Sequence, residues 1–419
     1  MLRAIKIRLY PNKNQETQIN KLLGCYRFVY NQCLERKINS YKENKTSENL
    51  STLSYFFHHE LLKDDDFIWL REQNTKVLKQ AIKDMLSAYK NFFEQHKGFP
   101  KFKSKNDNKQ SCRFELGAIS KRNDYTTYHL SLANIKNLKF RCSKKYSEYL
   151  QKHHDDIRQA TLSKLPCGEY YLSILVDGDL THKVKETNSA VGIDLGIKDF
   201  VVTSEGEVFD NLHFKKQKVN KIKKLQKQLS RKQKGSNNWN KQRIRLAKEY
   251  KKINDRKQYN LHAVSNSLID ENQVICMEDL SARNMVKNHC LAESISEMNF
   301  GEFRRMLEYK ARWYNRRIVF VNRFYPSSKT CNNCSYVNKD LKLSDRQWVC
   351  PQCGQIIERD YNAALNILEE GLRIIGCSTP EFTLEDCPTA DEPIGNEMLK
   401  SSGRLRQEVN DEQTSLFII

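Results

Sequence analysis

The sequence predicts an α+β protein of several domains, in which a small β-barrel interrupted by helices is followed by an α/β domain that carries a zinc ribbon. Three observations lead to this prediction. Strand-like segments lie on both sides of an N-terminal helical block, two apolar strands farther along contain acidic residues, and four cysteines form two closely spaced pairs. The 419 residues are enough for two or three domains with separate cores.

The N-terminal residues predict one strand and two helices. Residues 1–10 alternate apolar and basic side chains as a strand does, and the alternation stops at Pro11-Asn12. A helical repeat follows, and a second long one covers residues 74–95. The apolar side chains that the helices should bury are Ile19, Leu22, Leu23, Tyr26 and Tyr30 in the first and Val77, Ala81, Met85, Tyr89 and Phe92 in the second.

The opposite face of the second helix is polar and basic. It carries Lys76, Gln80, Lys83, Ser87 and Lys90. An ordinary solvated face is one interpretation, because charged outer faces are the rule. The other is a helix that lies along a nucleic acid, with Gln80 able to read a base edge.

The segment after the helices predicts a return to strands. Gly98-Phe99-Pro100 ends the helical block, and the next five residues alternate basic side chains such as Lys101 and Lys103 with other types. Strands are expected at 125–132, 160–165 and 170–176. With the first strand they would form a small barrel of residues 1–12 and 100–185, and residues 13–99 would be a helical insertion.

Two apolar strands each place an acidic residue where it needs a partner. Asp194 lies in the strand 190–196 between two glycines, and Glu278 lies in the strand 273–280. A carboxylate in an apolar strand is costly without a partner, and a divalent cation is the natural one. The Gly-Ile-Asp-Leu-Gly strand also resembles the first phosphate loop of actin-like ATPases and sugar kinases. Those proteins need a second Asp-Gly-Gly-type phosphate loop, which this sequence lacks.

Residues 215–257 are strongly basic. They hold eighteen Lys and Arg against two acids, in two helical stretches joined near Gly235. An apolar stripe in the first stretch indicates a folded helix pair. A solvated helical hairpin is possible, but a phosphate backbone explains the charge better, so Lys223, Lys224 and Lys227 are candidate nucleic-acid contacts.

The four-cysteine cluster predicts a zinc ribbon. Cys331 and Cys334 form one CxxC pair, Cys350 and Cys353 form another, and fifteen residues separate the pairs. This spacing brings four thiolates onto one tetrahedral zinc. Four unrelated cysteines, or a ribbon that only supports the fold, are the alternatives. Asp360 follows seven residues after the cluster, at the start of an apolar helix.

Composition indicates the class of partner. The formal net charge is +20, and residues 381–419 hold nine acidic and three basic side chains, so residues 1–380 carry about +26. Such a charge favours a polyanionic partner. The sequence shows no signal peptide and no run of apolar residues long enough for a membrane helix, and its isolated cysteines fit a reducing compartment. We therefore expect a protein of the prokaryotic cytoplasm.

These segments together resemble the transposon-encoded TnpB proteins. That family consists of RNA-guided DNA nucleases with a RuvC-like catalytic domain, related to compact type V CRISPR effectors. The motifs that carry the resemblance are Gly-Ile-Asp-Leu-Gly around Asp194, Met-Glu-Asp-Leu around Glu278, Ser-Ser-Lys-Thr before the cysteines and Arg-Asp-Tyr-Asn-Ala-Ala after them. The resemblance covers residues 1–375, with no departure at the three acidic positions.

The resemblance implies domains, cofactors and a site. Residues 186–329 and 354–378 would be the RNase H-like (RuvC) nuclease domain and 330–353 its inserted zinc ribbon. Residues 379–419 lie beyond the resemblance, and their acidic composition predicts a disordered tail. The barrel would be a wedge domain and the insertion a recognition domain. Asp194, Glu278 and Asp360 would bind two Mg²⁺ ions that activate a water and stabilise the leaving oxygen of a phosphodiester.

The resemblance also implies the partners. A guide RNA would pair with one strand of a double-stranded DNA target, and the protein would read a short flanking motif. Ser328 and Lys329 are added as candidate nucleic-acid contacts, and one protein per guide RNA is expected. The alternatives are a compact type V CRISPR effector, a non-cleaving RNA-guided regulator and, less well supported, a self-sufficient transposase.

Overall fold

The computed structural model describes residues 2–107, 109–120, 122–178, 184–185, 187–287, 292–342 and 344–377. These residues form two compact units, one of residues 2–178 with 232–248 and the other of the described residues in 184–231 and 249–377. The predicted disordered tail, residues 379–419, lies outside the described residues. In the part that is described, no helix is both long and apolar enough to cross a membrane.

The first unit contains six strands and four α-helices. The strands are β1 (Leu2–Tyr10), β2 (Gln110–Glu115), β3 (His129–Leu132), β4 (Ile135–Arg141), β5 (Ile157–Lys164) and β6 (Tyr170–Asp177), and the helices are α1 (Lys13–Asn44), α2 (Leu50–Phe56), α3 (Thr75–Glu94) and α4 (Lys144–Lys152). A π-helical turn (Phe57–Leu61) and a 3-10 segment (Asp65–Glu72) join α2 to α3. Shorter 3-10 turns cover Leu116–Ala118, Tyr125–Thr127 and His154–Asp156.

The six strands form one antiparallel sheet in the order β2-β5-β6-β1-β4-β3. Ile119, just beyond β2, bridges Leu132 of β3, and the amide of Ala133 donates to the Ala118 carbonyl over 2.7 Å. These contacts bring the two edges of the sheet together. Helices α1 to α3 are inserted between β1 and β2, and their buried faces share one apolar core with the sheet.

The predicted N-terminal elements are confirmed. The strand ends at Tyr10, and Asn12 caps α1 by accepting from the amide of Gln15 while the Gln15 side chain accepts from the Asn12 amide. Helix α3 begins after its own cap, Asn74. The apolar stripes predicted for both helices are buried, except that Phe92 is half-buried.

Two predictions in this unit are wrong in detail. Gln80 was expected on the outer face of α3, but it is only 4% exposed. Helix α3 packs on both α1 and β2, so its buried arc is wider than its apolar stripe. The expected strand from Tyr125 begins only at His129, because the side chain of Asp124 accepts from the Thr126 amide and caps a 3-10 turn.

The second unit contains a mixed sheet with helices and a small hairpin. The strands are β7 (Ala190–Asp194), β8 (Asp199–Thr203), β9 (Val208–Asp210), β10 (Val274–Glu278), β11 (Arg317–Val321), β12 (Gln347–Val349) and β13 (Ile356–Glu358). The helices are α5 (Phe214–Ser230), α6 (Asn237–Glu271), α7 (Ala282–Met285), α8 (Ala292–Met298), α9 (Phe300–Tyr314) and α10 (Arg359–Ile374). Helix α6 contributes residues 237–248 to the first unit.

The larger sheet has the order β11-β10-β7-β8-β9, in which β11, β10 and β7 are parallel and the rest antiparallel. Helix α10 packs across β7, β10 and β11. Two glycines allow this close contact. A Cβ at Gly192 of β7 would lie 2.1 Å from the carbonyl oxygen of Ala364, and a Cβ at Gly371 of α10 would lie 2.3 Å from the Sγ of Cys276.

We expect Gly192→Ala to destabilise the second unit, because the new methyl group meets helix backbone that cannot move aside alone. The melting temperature should fall by several degrees, as expected for an overpacked core that costs roughly 1–3 kcal/mol. Gly301→Ala is the matched control. Nothing lies within 4 Å of its Cβ in α9, so it should melt at or above the wild-type temperature. If both variants melted at the same temperature, the close contact between β7 and α10 would not limit the size of the side chain at position 192.

Candidate active site and metal centre

Asp194 and Glu278 end neighbouring strands at the same edge of the sheet. In the parallel pair β7 and β10, Ile193 lies opposite Met277, so Asp194 and Glu278 are the next residues on their strands. Because the strands run in the same direction, their carboxyl ends meet at one edge. The two side chains therefore lie side by side.

Asp360 joins this pair from helix α10. It lies in the first turn of the helix, one turn before Ala364, whose carbonyl oxygen faces Gly192. The approach allowed by Gly192 thus sets where Asp360 stands relative to the end of β7. Asp194 and Asp360 are 166 residues apart in the sequence, and the structure brings both of them, with Glu278, to one edge of the sheet.

The electrostatics of Asp194 reflect both neighbouring carboxylates. Burial, followed by the negative charges of Glu278 and Asp360, raises the pKa of Asp194 to about 7, although Arg359 opposes the shift. A carboxylate held among like charges and away from water disfavours its own ionised form. This edge of the sheet is therefore a site of concentrated negative charge.

Glu278 is oriented by a hydroxyl group. The Oγ of Ser327 donates to its Oε1 over 2.6 Å, and burial raises the pKa of Glu278 despite this hydrogen bond. Ser327 is only 5% exposed. Its motif was visible in the sequence, but the sequence did not assign it this contact.

Two arginines hold Asp360. The Nη1 of Arg346 lies 3.0 Å from its Oδ2, and the Nε of Arg359 lies 3.2 Å from its Oδ1. Arg346 precedes strand β12 of the small hairpin, so the hairpin and helix α10 meet at this carboxylate. Sequence reasoning missed both arginines. Arg359 is adjacent to Asp360 and could have been suspected, whereas Arg346 is fourteen residues away with no local pattern.

Asp279, the residue that directly follows β10, has a different environment from Glu278. The guanidinium groups of Arg304 and Arg323 both contact it, the latter over 2.8 Å. Although burial acts in the other direction, these arginines lower the pKa of Asp279. Of the two adjacent acids, Glu278 thus faces the carboxylate cluster, whereas Asp279 pairs with Arg304 and Arg323.

The four predicted cysteines converge on one point. The Sγ atoms of Cys331, Cys334, Cys350 and Cys353 all lie within 4.8 Å of one another. Each pair occupies a tight turn, in which the Ser335 amide donates to the Cys331 carbonyl and the Gly354 amide to the Cys350 carbonyl, both over 2.8 Å. Four thiol groups at this spacing fit a tetrahedral zinc ion. The antiparallel β12–β13 hairpin and a small core that includes Trp348 and Ile357 support the cluster.

Asparagines fasten this ribbon to helix α10. Asn362 accepts from the Asn332 amide over 3.0 Å and donates to the Thr330 carbonyl over 2.6 Å. Asn366 donates to the carbonyls of Ser327 and Thr330, both over 2.7 Å, and accepts from the Asn332 side chain. Asn362 and Asn366 are 5% and 1% exposed. The first cysteine turn and the Ser327 loop are therefore held against the helix that carries Asp360.

The candidate nucleic-acid contacts of the first unit lie in different environments. Lys76 and Lys101 are exposed, whereas Lys83 is paired with Glu115 and Gln80 is buried. The ammonium of Lys103 lies 3.9 Å from the centre of the Tyr30 ring, and burial lowers its pKa. Of these five side chains, Lys76 and Lys101 are the best placed to reach a ligand.

The candidates of the second unit are more accessible. Lys223, Lys224 and Lys227 are exposed on α5, and the predicted stripe of that helix includes the buried Ile222. Ser328 and Lys329 are half-buried in the loop that contains Ser327, and the Lys329 ammonium donates to the Lys339 carbonyl over 3.4 Å.

Models of known families match three parts of the chain. A "Helix-turn-helix domain" model matches residues 1–46, a "Probable transposase" model matches residues 173–289, and a "Cas12f1-like, TNB domain" model matches residues 300–367. The last match includes the cysteine cluster and Asp360. In this structure the described part of residues 1–46 forms β1 and the single long helix α1.

Similar proteins cover nearly the whole chain. It is 35% identical over 377 residues to the "Putative RNA-guided DNA endonuclease" of Streptomyces pristinaespiralis, which spans 90% of each protein. It is 28% identical over 418 residues to the "Putative RNA-guided DNA endonuclease InsQ" of Escherichia coli (strain K12), with 96% of this chain and 99% of that protein covered. A solved structure, "Cryo-EM structure of the Cas12f1-sgRNA-target DNA complex", matches with a TM-score of 0.53 at 15% identity, over 88% of this chain and 98% of that chain. This likeness shows a shared multidomain α/β fold.

We expect purified protein to contain one zinc ion per chain. Cys331→Ser or Cys350→Ser should lose the zinc and unfold the ribbon locally, because binding of the metal supplies the folding free energy of such a site. Elemental analysis and circular dichroism measure the two effects. Cys142→Ser, a half-buried cysteine of the first unit, should keep the full zinc content. Well-folded wild-type protein without zinc would contradict the assignment.

Proposed function

The chain belongs to the TnpB family of transposon-encoded, RNA-guided DNA endonucleases, and from that premise we propose that it cuts double-stranded DNA beside a short flanking motif. The observation that carries the proposal is the cluster of Asp194, Glu278 and Asp360 at one edge of the sheet, where the pKa of Asp194 is raised to about 7 by burial and by the other two charges. A site built for neutral ligands would not gather three acids.

The donor set fits magnesium. Three carboxylates supply only oxygen ligands, which suit a hard divalent cation, and their mutual repulsion favours binding of positive charge. Asp194, Glu278 and Asp360 would hold two Mg²⁺ ions. When bound, these ions would supply Lewis-acid stabilisation and an activated water for phosphodiester hydrolysis.

Residues of this chain position the carboxylates. Ser327 fixes one oxygen of Glu278 through its 2.6 Å hydrogen bond. Arg346 and Arg359 orient Asp360, and they place positive charge beside the site, where it would favour the approach of a phosphate. Asn366 holds the carbonyl of Ser327 and so maintains the loop.

The domain assignments follow from the same premise. Residues 186–329 and 354–378 would form the RuvC-like nuclease domain, with the ribbon at 330–353. The curled sheet of the first unit would be the wedge domain and helices α1 to α3 the recognition domain. The exposed lysines of α5 favour a guide RNA as the polyanionic partner, while pairing between guide and target would provide most of the sequence specificity.

A non-cleaving regulator is the less favoured alternative, because all three acids are present and the charges of Glu278 and Asp360 both act on Asp194. A compact type V CRISPR effector would use the same site with a guide of different origin. The guide would come from a transposon end in the family assignment and from a CRISPR array in this alternative. Sequencing the RNA that co-purifies with the protein decides between these two sources. We propose the bacterial or archaeal cytoplasm as the place of action and one protein per guide RNA.

We expect Asp194→Ala, Glu278→Ala and Asp360→Ala each to reduce cleavage by at least about a hundredfold, since each removes a ligand of the catalytic ions. RNA-dependent DNA binding by these variants should stay nearly intact, and EDTA should abolish DNA cleavage by the wild type. Single-turnover cleavage of a guide-matched duplex measures the rate, and an electrophoretic shift measures binding.

Asp210→Ala is the matched control for these variants, because Asp210 is an exposed acid at the end of β9 in the same sheet. It should cut at the wild-type rate. A triad variant that cleaves as fast as the wild type would remove that residue from the site.

Neutralising Lys223, Lys224 and Lys227 together by substitution with Gln should flatten the salt dependence of guide-RNA binding. If α5 follows the phosphate backbone, the slope of log K against log salt should decrease by up to about three units, because fewer counterions are released. Filter binding at four or more salt concentrations measures the slope. The triple Lys→Arg variant keeps the charge and should keep the slope. An unchanged slope in the Gln variant would show that the RNA contacts lie elsewhere.

A further inference from the structure

The loop that follows β11 starts at the active-site edge. In the parallel pair β10 and β11, Glu278 lies opposite Val321, so Asn322 is the first residue beyond the carboxylate. The loop then continues through Phe324 to Ser327, which donates to Glu278. Every residue between Asn322 and Ser327 is therefore confined near the cluster.

Hydrogen bonds and packing fix the shape of this loop. The amide of Phe324 donates to the Asn322 side chain and the amide of Tyr325 to the Asn322 carbonyl, both over 2.9 Å. Tyr325 packs on the core formed by β10, β11 and α10, and Arg323 pairs with Asp279. Because this turn is short and anchored at both ends, it fixes the position of Phe324 between them.

Phe324 is the one large apolar side chain of this turn that points to solvent. It is 86% exposed, more than any other large hydrophobic residue in the described part of the chain. Its two neighbours, Arg323 and Tyr325, are both engaged in contacts with the sheet. A single exposed apolar side chain is ordinary by itself, but this ring is held on an anchored turn beside the carboxylate cluster, where a substrate strand would pass.

The composition of the loop favours a nucleobase. Arg323 precedes Phe324 in the sequence and Lys329 follows it, and an aromatic side chain in a basic segment is a usual platform for single-stranded nucleic acid. A base inside a duplex has no free face, so only an unpaired base can stack on the ring. The strand whose phosphate reaches the carboxylates is the one that must pass this turn.

We propose that Phe324 stacks on an unpaired base of the DNA strand being cut and so positions that strand at the carboxylates. The inference rests on the proposed function and extends it to substrate positioning. The Cα atoms of Phe324 and Ser327 are at most about 11 Å apart along the chain, comparable with about three stacked nucleotides. The positions within about three nucleotides of the scissile phosphate are therefore the first to test for stacking.

The test compares Phe324→Ala, Phe324→Leu and Phe324→Trp in the protein loaded with its co-purified guide RNA. The single-turnover cleavage rate of a guide-matched duplex should fall by roughly five- to a hundredfold in the Ala variant, and Leu should not restore it because Leu has no π-face. Trp should stay near the wild-type rate. Tyr259→Ala, an aromatic of the second unit that is 78% exposed, is the control and should cut normally.

Abasic substitutions identify the stacked base. Removing one base of the cut strand, at positions up to three nucleotides from the cleavage site, should slow the wild type at one position and leave the Ala variant unaffected there. Wild-type cleavage by Phe324→Ala or Phe324→Leu would overturn the proposal. So would equal sensitivity of wild type and Ala variant to every abasic site, or a photocrosslink from position 324 to the guide RNA alone.

If the wild-type protein cut no DNA, the proposed function would be contradicted. The stacking proposal would then be tested by a binding measurement. A single-stranded DNA oligonucleotide containing 2-aminopurine should then be quenched by the wild type and not by Phe324→Ala. Equal quenching by both proteins would overturn the stacking proposal by itself.

Discussion

The contact between helix α10 and strand β7 is the constraint on which the second unit depends. At Gly192 the strand has no side chain, and the carbonyl of Ala364 occupies the space that a Cβ would need. One helical turn earlier stands Asp360, so the separation between helix and sheet also determines the position of this carboxylate relative to Asp194. The packing of α10 on β7 and the position of Asp360 are thus set by the same contact, and a change in one must change the other.

The ribbon belongs to this arrangement because it is bound to the same helix. Asn362 and Asn366 are buried on α10 and hydrogen-bond to the backbone that leads into the first cysteine turn, and Arg346 reaches Asp360 from the hairpin side. A buried amide that loses its partners pays a desolvation cost, which keeps these contacts closed. The zinc site and the carboxylate cluster are consequently coupled through α10, although their residues share no ligand.

The sequence was sufficient for the parts of the fold that depend on local patterns. The alternation of residues 1–10, the stripe of α3 and the CxxC spacing predicted a strand, a helix and a cluster that the structure contains. The burial of Gln80 was missed because it depends on β2, which is more than twenty residues away and was not itself predicted. The pairing of Arg346 with Asp360 was missed for the same reason, since long-range contacts leave no periodic signal in one sequence.

Glu278 and Asp279 show why position in the sequence does not identify the environment of an acidic residue. They are adjacent at the end of one strand, yet burial raises the pKa of Glu278 while arginines lower that of Asp279. Alternation along the strand sends the two side chains to opposite sides, one toward Asp194 and the other toward Arg304 and Arg323. The Asp279 carboxylate is paired with Arg304 and Arg323, whereas the Glu278 carboxylate is buried and hydrogen-bonded to Ser327. The direction of the pKa shift therefore separates the buried carboxylate at the cluster from the one that holds the loop beside it.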